Sequence, residues 1–316
     1  MTEPERIEYD EFALFRDNAE EYGVAWTGPP TVRRERVEVA PDREVSALVW
    51  GSAEPELVLL HGGSQNAHTW DTVALALDRP LVAIDLPGHG HSDGGIAMAD
   101  GGNAVINTAT DVSAVVRELA PSAAAVVGMS FGGLTTIGLT DVAPELVRKA
   151  VLVDVMPGAK AEHASHIGEF VNGPPTFPSF ADILARTMQF NPARSESSLS
   201  RGILHNAVQL DDGSWVWRHS RWRVDAPEQQ IPERREVDPD ASMFDDLVDV
   251  LARVQVPVLL CRGMRQDSIL RDADEDRLGS VLPSSQTERF EEAGHSIQGD
   301  MPVELAATIE RFVFGL

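Results

Sequence analysis

Residues 126–133 read VVGMSFGG. An apolar pair runs into Gly-x-Ser-x-Gly, and a helical segment, Leu134 to Val142, follows. A strand, small residues around one serine, then a helix is the setting in which this motif forms a nucleophile elbow. The sharp turn lifts the hydroxyl of Ser130 clear of the sheet and places it at a helix N-terminus. Gly128, Gly132 and Gly133 let neighbouring backbone pass without side-chain clash. A glycine-rich turn with an idle serine would match the bare motif equally well, so its flanks make Ser130 the candidate nucleophile.

Working outward, the apolar run before the serine belongs to a series. Leu57–Leu60, Leu81–Ile84, Ala124–Val127, Ala150–Val153 and Val256–Leu260 are short and continuously apolar, as strands buried on both faces are. Helical segments at Thr72–Leu77, Ala104–Leu119 and Leu134–Val142 separate them. This alternation predicts an α/β fold, a mostly parallel doubly wound sheet covered on both faces. Val32–Val39 alternates apolar with charged residues as a half-exposed strand does, and Glu44–Trp50 is a further strand candidate. Between Met156 and about Arg253 the alternation stops. Prolines, tryptophans and short helical pieces (Phe180–Met188, Ser197–Leu204) predict an inserted, mainly helical cap. The expected organisation is an N-terminal extension over 1–30, a core over 31–155 and 254–316, and a cap over 156–253. A last helix is expected from Pro302 to Phe314, proline being favoured in a first turn.

Composition narrows the function. The chain has 316 residues, 43% hydrophobic and 24% charged, with 26 basic against 50 acidic residues and a net charge of −24. That surface repels polyanions, which argues against nucleic acid and anionic membranes as partners. No window approaches 18 apolar residues, so no membrane-spanning helix is expected. The N-terminus, MTEPERIEYDEF, is acidic and has no apolar centre, unlike a secretory signal. The single cysteine, Cys261, allows no disulfide within the chain and suits a reducing cytoplasm. Only Lys149 and Lys160 are lysines; the other basic residues are arginines.

A serine hydroxyl needs a base to take its proton. His295, in EAGHSIQ after the strand candidate Gln286–Phe290, is placed for that in the chain order Ser, acid, His. The base needs a carboxylate to fix its tautomer. Asp267, in CRGMRQD, and Asp154, at the end of Ala150–Val153, both follow predicted strands; Asp267 is preferred and Asp154 is the alternative. Oxyanion donors are expected from the N–H groups of Gly63, in HGG after Leu57–Leu60, and of Phe131. The run VAIDLPGHGHSDG, residues 82–94, spaces His89, His91 and Asp93 as zinc ligands can be spaced. It lacks a further cluster to complete a coordination sphere, so no metal is expected. In the cap, residues 211–223 (DDGSWVWRHSRWR) place Trp215 and Trp217 on one face of an extended segment, near Arg218, Arg221 and Arg223. The preferred reading is that the tryptophans anchor the cap and the arginines pair with acids. His68, Trp70, Met129 and Phe131 are stronger candidates for pocket lining, with Trp215 and Trp217 as further ones.

LLHGG, DLPGHGHSD, GMSFGG and AGHS together resemble the α/β-hydrolase fold family, over roughly Val32 to the C-terminus with the cap as variable insert. The resemblance implies a triad of Ser130, Asp267 and His295, with Gly63 and Phe131 as oxyanion donors. Some members take the acid from the preceding strand, which keeps Asp154 open. It implies, further, that DLPGHGHSD is a turn containing His89 and Asp93. The expected protein is a cofactor-independent, cytoplasmic serine hydrolase of a small or medium, largely apolar ester or lactone. C–C bond hydrolysis or perhydrolysis by the same triad, and a receptor-like binding protein with little turnover, are the alternatives. Epoxide hydrolases and dehalogenases place Asp where Ser130 stands, which disfavours both. Oligomeric state is not legible.

Overall fold

The computed structural model describes residues 6–94, 102–220 and 244–316. Eight strands form one sheet: β1 (Val32–Ala40), β2 (Arg43–Trp50), β3 (Leu57–Leu60), β4 (Leu81–Ile84), β5 (Ala125–Met129), β6 (Ala150–Val153), β10 (Val258–Gly263) and β11 (Gln286–Phe290), ordered β1-β2-β4-β3-β5-β6-β10-β11. β1 pairs with β2, and β2 with β4, antiparallel; the remaining pairs are parallel. Every residue of β3, β4, β5 and β6 is buried, which explains their unbroken apolar runs. β1 is an edge strand. Arg33, Arg36 and Glu38 are exposed, Val37 is buried, and Arg34 reaches inward to Asp85.

The crossover helices are α2 (Asp71–Leu77), α3 (Gly102–Leu119) and α4 (Phe131–Val142). On one face Val58, Leu60, Val126 and Leu152 pack with buried residues of α3 and α4; on the other Leu57, Leu59, Val127 and Val151 pack with α2 and the C-terminal helix. From β3 the chain moves outward to β4 and then returns past β3 to β5. The strand order therefore reverses between β3 and β5, and a crevice opens at their C-terminal ends. The HGG loop and Ser130 lie at these ends.

Between β6 and β10 lie α5 (Ser165–Val171), β7 (Thr176–Phe177), α6 (Phe180–Phe190), α7 (Glu196–Asn206), β8 (Ala207–Gln209), β9 (Trp215–Trp217) and α8 (Asp246–Ala252). Ser179 and Ser195 cap α6 and α7, accepting from the N–H groups of Asp182 and Ser198. The strands form a three-stranded antiparallel sheet, β7-β9-β8, which two- and three-residue runs are too short to announce in sequence. Trp215 and Trp217 pack with Phe177, Ile183 and Ile203 in a separate small core, and α8 places Leu247 and Leu251 in the main one. Arg221 and Arg223 lie outside the described residues. After β10 follow α9 (Asp272–Val281), α10 (Ile297–Asp300) and α11 (Pro302–Phe314).

The N-terminal extension reaches across to this insertion. α1 (Phe15–Tyr22) and the residues before it bond to it: Arg6 to Asp211, the Ile7 N–H to Gln209 Oε1, the Tyr9 hydroxyl to His205 Nδ1, and Arg201 to Asn18 and Glu21. Among the described residues no helix is long and apolar enough to cross a membrane.

Candidate active site

Ser130 joins β5 to α4 with φ 50° and ψ −118°, a conformation L-residues avoid. Such strain costs on the order of 1–3 kcal/mol and persists only where neighbours enforce it. Here the Ser130 N–H donates to the Val153 carbonyl, and its own carbonyl accepts from Gly133 and Leu134. A Cβ on Gly128 would lie 2.2 Å from the Gly132 carbonyl oxygen, and one on Gly132 would lie 2.3 Å from that of Leu60. The glycines are demanded by close backbone approach.

His295, in the loop after β11, has its Nδ1 2.9 Å from Asp154 Oδ2. Asp154 ends β6, which runs between β5 and β10. Its φ of 46° turns the side chain toward the end of β10. Its carboxylate is fully buried and accepts from the Gly263 N–H (3.0 Å), Ser268 Oγ (2.7 Å) and the Ile269 N–H (3.1 Å). The geometry brings Asp154, and not the preferred sequence candidate Asp267, within hydrogen-bonding distance of the imidazole. The Asp267 side chain is 44% exposed, lies against the Cα of Gly294 and pairs with Arg265 at 3.3 Å. The loop after β10 wraps around the Asp154 carboxylate, so the earlier aspartate takes the position beside the imidazole.

Gly62 lies beside Ser130: a Cβ on it would come within 3.3 Å of the serine Cβ, whereas one on Gly63 would meet open space. Phe131 is the first residue of α4, where the N–H has no helical acceptor. Two histidines tie the HGG loop to the turn after β4 in opposite directions. His61 Nε2 accepts from the Leu86 N–H (2.9 Å), and its Nδ1 faces the Gly62 carbonyl (2.7 Å). His89 Nε2 accepts from the Ser64 N–H (3.0 Å), and its Nδ1 faces the Pro87 carbonyl (3.1 Å). These partners assign the neutral Nδ1–H tautomer to both rings. Burial, with the neighbouring His89, pushes His61 down to about 3, and burial lowers His89 as well. The Asp93 carboxylate accepts from the Glu44 N–H, and the His91 N–H donates to Asp85. His89, Asp93 and the His91 backbone therefore hold the turn after β4 against the loop after β3 and against β2.

A cavity of about 470 Å³ joins these parts. Ser130, His295, Gly63 and Phe131 line it, as do Met129, His68 and Trp217 from the expected pocket residues. Trp70 and Trp215 do not. Trp70 is fully buried beneath the first turn after β3, and Trp215 packs edge-on against Phe180 within the cap. Sequence reading missed Asn18, Tyr22, Arg194, Asn206 and Gln298, which also line the cavity. They come from the extension, the cap and α10, and no local motif marks them.

Beside the cavity, His68, Asp71 and His205 bring three metal-ligating side chains together. An imidazole binds a metal within its ring plane, and these two rings are stacked, 3.9 Å apart at 12°, so one ion cannot lie in both planes. The group forms an ion-pair network instead. Asp71 lies 2.9 Å from His68 Nδ1 and Glu11 3.1 Å from Nε2, while Arg34 joins Glu11 to Asp85. Burial opposes a charge on His68, but Asp71 and Glu11 outweigh it and raise its pKa to about 9. Burial and the charged His68 keep His205 well below the usual range, hence neutral. A histidine raised above its unfolded value stabilises fully below pH 6.5, and that contribution disappears as pH rises through 9. The melting temperature should therefore decline between pH 7 and 9, with the decline flattened in His68→Gln. An unchanged slope in the variant would assign the titration elsewhere.

The alpha/beta hydrolase family profile matches residues 57–308. The esterase Rv0045c of Mycobacterium tuberculosis is 41% identical over 312 residues, covering 96% of this chain and 95% of that protein. Its crystal structure superposes with a TM-score of 0.79 at 38% identity, covering 99% of this chain and all of that one. A pimeloyl-[acyl-carrier protein] methyl ester esterase of Klebsiella pneumoniae is 35% identical over 262 residues, covering 78% of this chain and 88% of that protein. The switch-point crevice, the strained elbow and the buried histidine–carboxylate pair all lie within the matched span, and on that ground the chain belongs to the alpha/beta hydrolase family.

Proposed function

We propose that this hydrolase is a serine esterase acting through a triad of Ser130, His295 and Asp154. The observation that carries the reading is the 2.9 Å contact between His295 Nδ1 and the Asp154 carboxylate buried behind it, with His295 and the strained Ser130 lining one cavity. Asp154 holds the imidazole with Nδ1 protonated, leaving Nε2 to take the proton of Ser130. The Ser130 oxygen attacks the ester carbonyl carbon. The N–H groups of Gly63 and Phe131 receive the developing oxyanion. His295 returns the proton to the departing alcohol oxygen, and an acyl-serine remains. Water then attacks that acyl group with His295 as base, and the acid leaves as Ser130 regains its proton.

The substrate class is a small or medium carboxylic ester or lactone. Met129, Leu134, Val155, Ile167, Phe170 and Trp217 give the cavity an apolar wall suited to an acyl chain. The esterase names of two relatives support ester over other acyl substrates. A cytoplasmic setting is supported by a composition with one cysteine, Cys261, and so no disulfide within the chain.

The test is intact-mass labelling with a fluorophosphonate after treatment with a strong chelator. One adduct on the wild type and none on Ser130→Ala is expected. No adduct on a folded wild type that nonetheless turns over esters would overturn the serine mechanism.

A further inference from the structure

The cap contributes to the chemistry as well as to the pocket: we infer that Asn206, the last residue of α7, is a positioning residue for the oxyanion loop. The inference rests on the serine reading above and concerns the peptide that follows the Gly63 donor.

Ser64 adopts φ 64°, a left-handed conformation that a serine holds only under constraint. Both of its peptide groups are held from outside the loop. Its N–H is taken by His89, from the turn after β4. Its carbonyl accepts from Asn206 Nδ2 at 2.5 Å, across 142 residues of sequence. Both ends of the Asn206 amide bond to this loop. Its Oδ1 accepts from Asn66 Nδ2 at 3.2 Å, and Asn66 Nδ2 also donates to the His205 carbonyl at 3.0 Å. Asn66 Oδ1 in turn accepts from the His68 N–H at 2.9 Å, closing the turn that follows the loop. One cap side chain therefore bonds the loop on both sides of Gln65, whose Oε1 accepts from the Gly62 N–H.

The direction of the Gly63 N–H depends on the torsions of the residues around it. Once its carbonyl is released, the bond from its N–H to His89 still restrains the positive φ of Ser64 from one side, and the torsion can relax about it. Relaxation would rotate the adjoining peptides and swing the donor away from where the oxyanion forms. Since α7 bears Asn206, displacement of the cap would undo the oxyanion site while leaving Ser130 and His295 in place. Such a loss falls on the transition state, where negative charge is fully developed, more than on bound ester.

The experiment compares an activated oxygen ester with its thiono analogue, because sulfur is a poor acceptor and gains little from oxyanion donors. In Asn206→Leu, kcat for the oxygen ester should fall about 10- to 100-fold, with KM changed less than about twofold. The rate preference for oxygen over sulfur should shrink by a similar factor. Asn206→Asp, near-isosteric but without the N–H donor, should behave alike and serves if the leucine variant does not fold. Equal losses on the two esters, or no loss in kcat, would overturn the assignment and leave Asn206 a structural cap contact. A wild type with neither an oxygen preference nor a Ser130 adduct would instead overturn the serine reading beneath it.

Discussion

Ser130→Ala should lower kcat on any ester substrate by about 10⁵- to 10⁶-fold while the protein stays folded. The loss is large because no neighbouring group can replace the hydroxyl. Its backbone alone reaches the point where the strand ends and the helix begins, with the hydroxyl facing the cavity. Alanine keeps the Cβ, so the unusual φ and the bonds to Val153, Gly133 and Leu134 remain. The change in stability should therefore be under about 0.5 kcal/mol, as for substitutions that remove no buried contact. Active-site titration and thermal melting of the same sample check both halves. Activity above about 1% of wild type, with a melting point unchanged, would place the nucleophile elsewhere.

Asp154→Asn should cost about 10⁴-fold in kcat, and Asp267→Asn less than about tenfold. An asparagine at 154 presents either a carbonyl or an NH₂ to His295. The amide group favours the imidazole tautomer with its proton on Nε2, where it blocks proton transfer from Ser130. The substitution carries a second penalty. The carboxylate accepts from Gly263, Ser268 and Ile269 as well as facing His295. An NH₂ turned toward either of the Gly263 and Ile269 N–H groups sets donor against donor, at about 1–3 kcal/mol per unsatisfied group. Asp154→Asn should thus melt earlier, so its rate needs measuring well below that temperature. Asp267→Asn loses only a half-exposed pairing with Arg265. The reverse ranking of the two rates would return the acid role to Asp267.

The sheet, the glycine-lined turn at Ser130 and the loop that holds His295 are legible in the sequence. Strands buried on both faces must be apolar throughout, so β3, β4, β5 and β6 are visible as runs, and their spacing by helices implies parallel pairing. The elbow is legible because its glycines answer to backbone a few residues away. β11 and α11 also match their sequence readings, Gln286–Phe290 and Pro302–Phe314. The cap's small sheet was not legible, since three short strands carry no periodicity. Which of Asp154 and Asp267 lies beside His295 depends on packing between segments far apart in the chain. Both follow a strand, and the difference lies in how the loop after β10 folds around one carboxylate and leaves the other half-exposed on the cavity wall. Likewise His89 became a brace only when the turn after β4 met the loop after β3, and Asn206 gained a role only when the cap descended on that loop. Local pattern records which face of an element is buried and where a turn must be tight. Which polar group satisfies a peptide many residues away is set by three-dimensional packing, and that is where the details of this site reside.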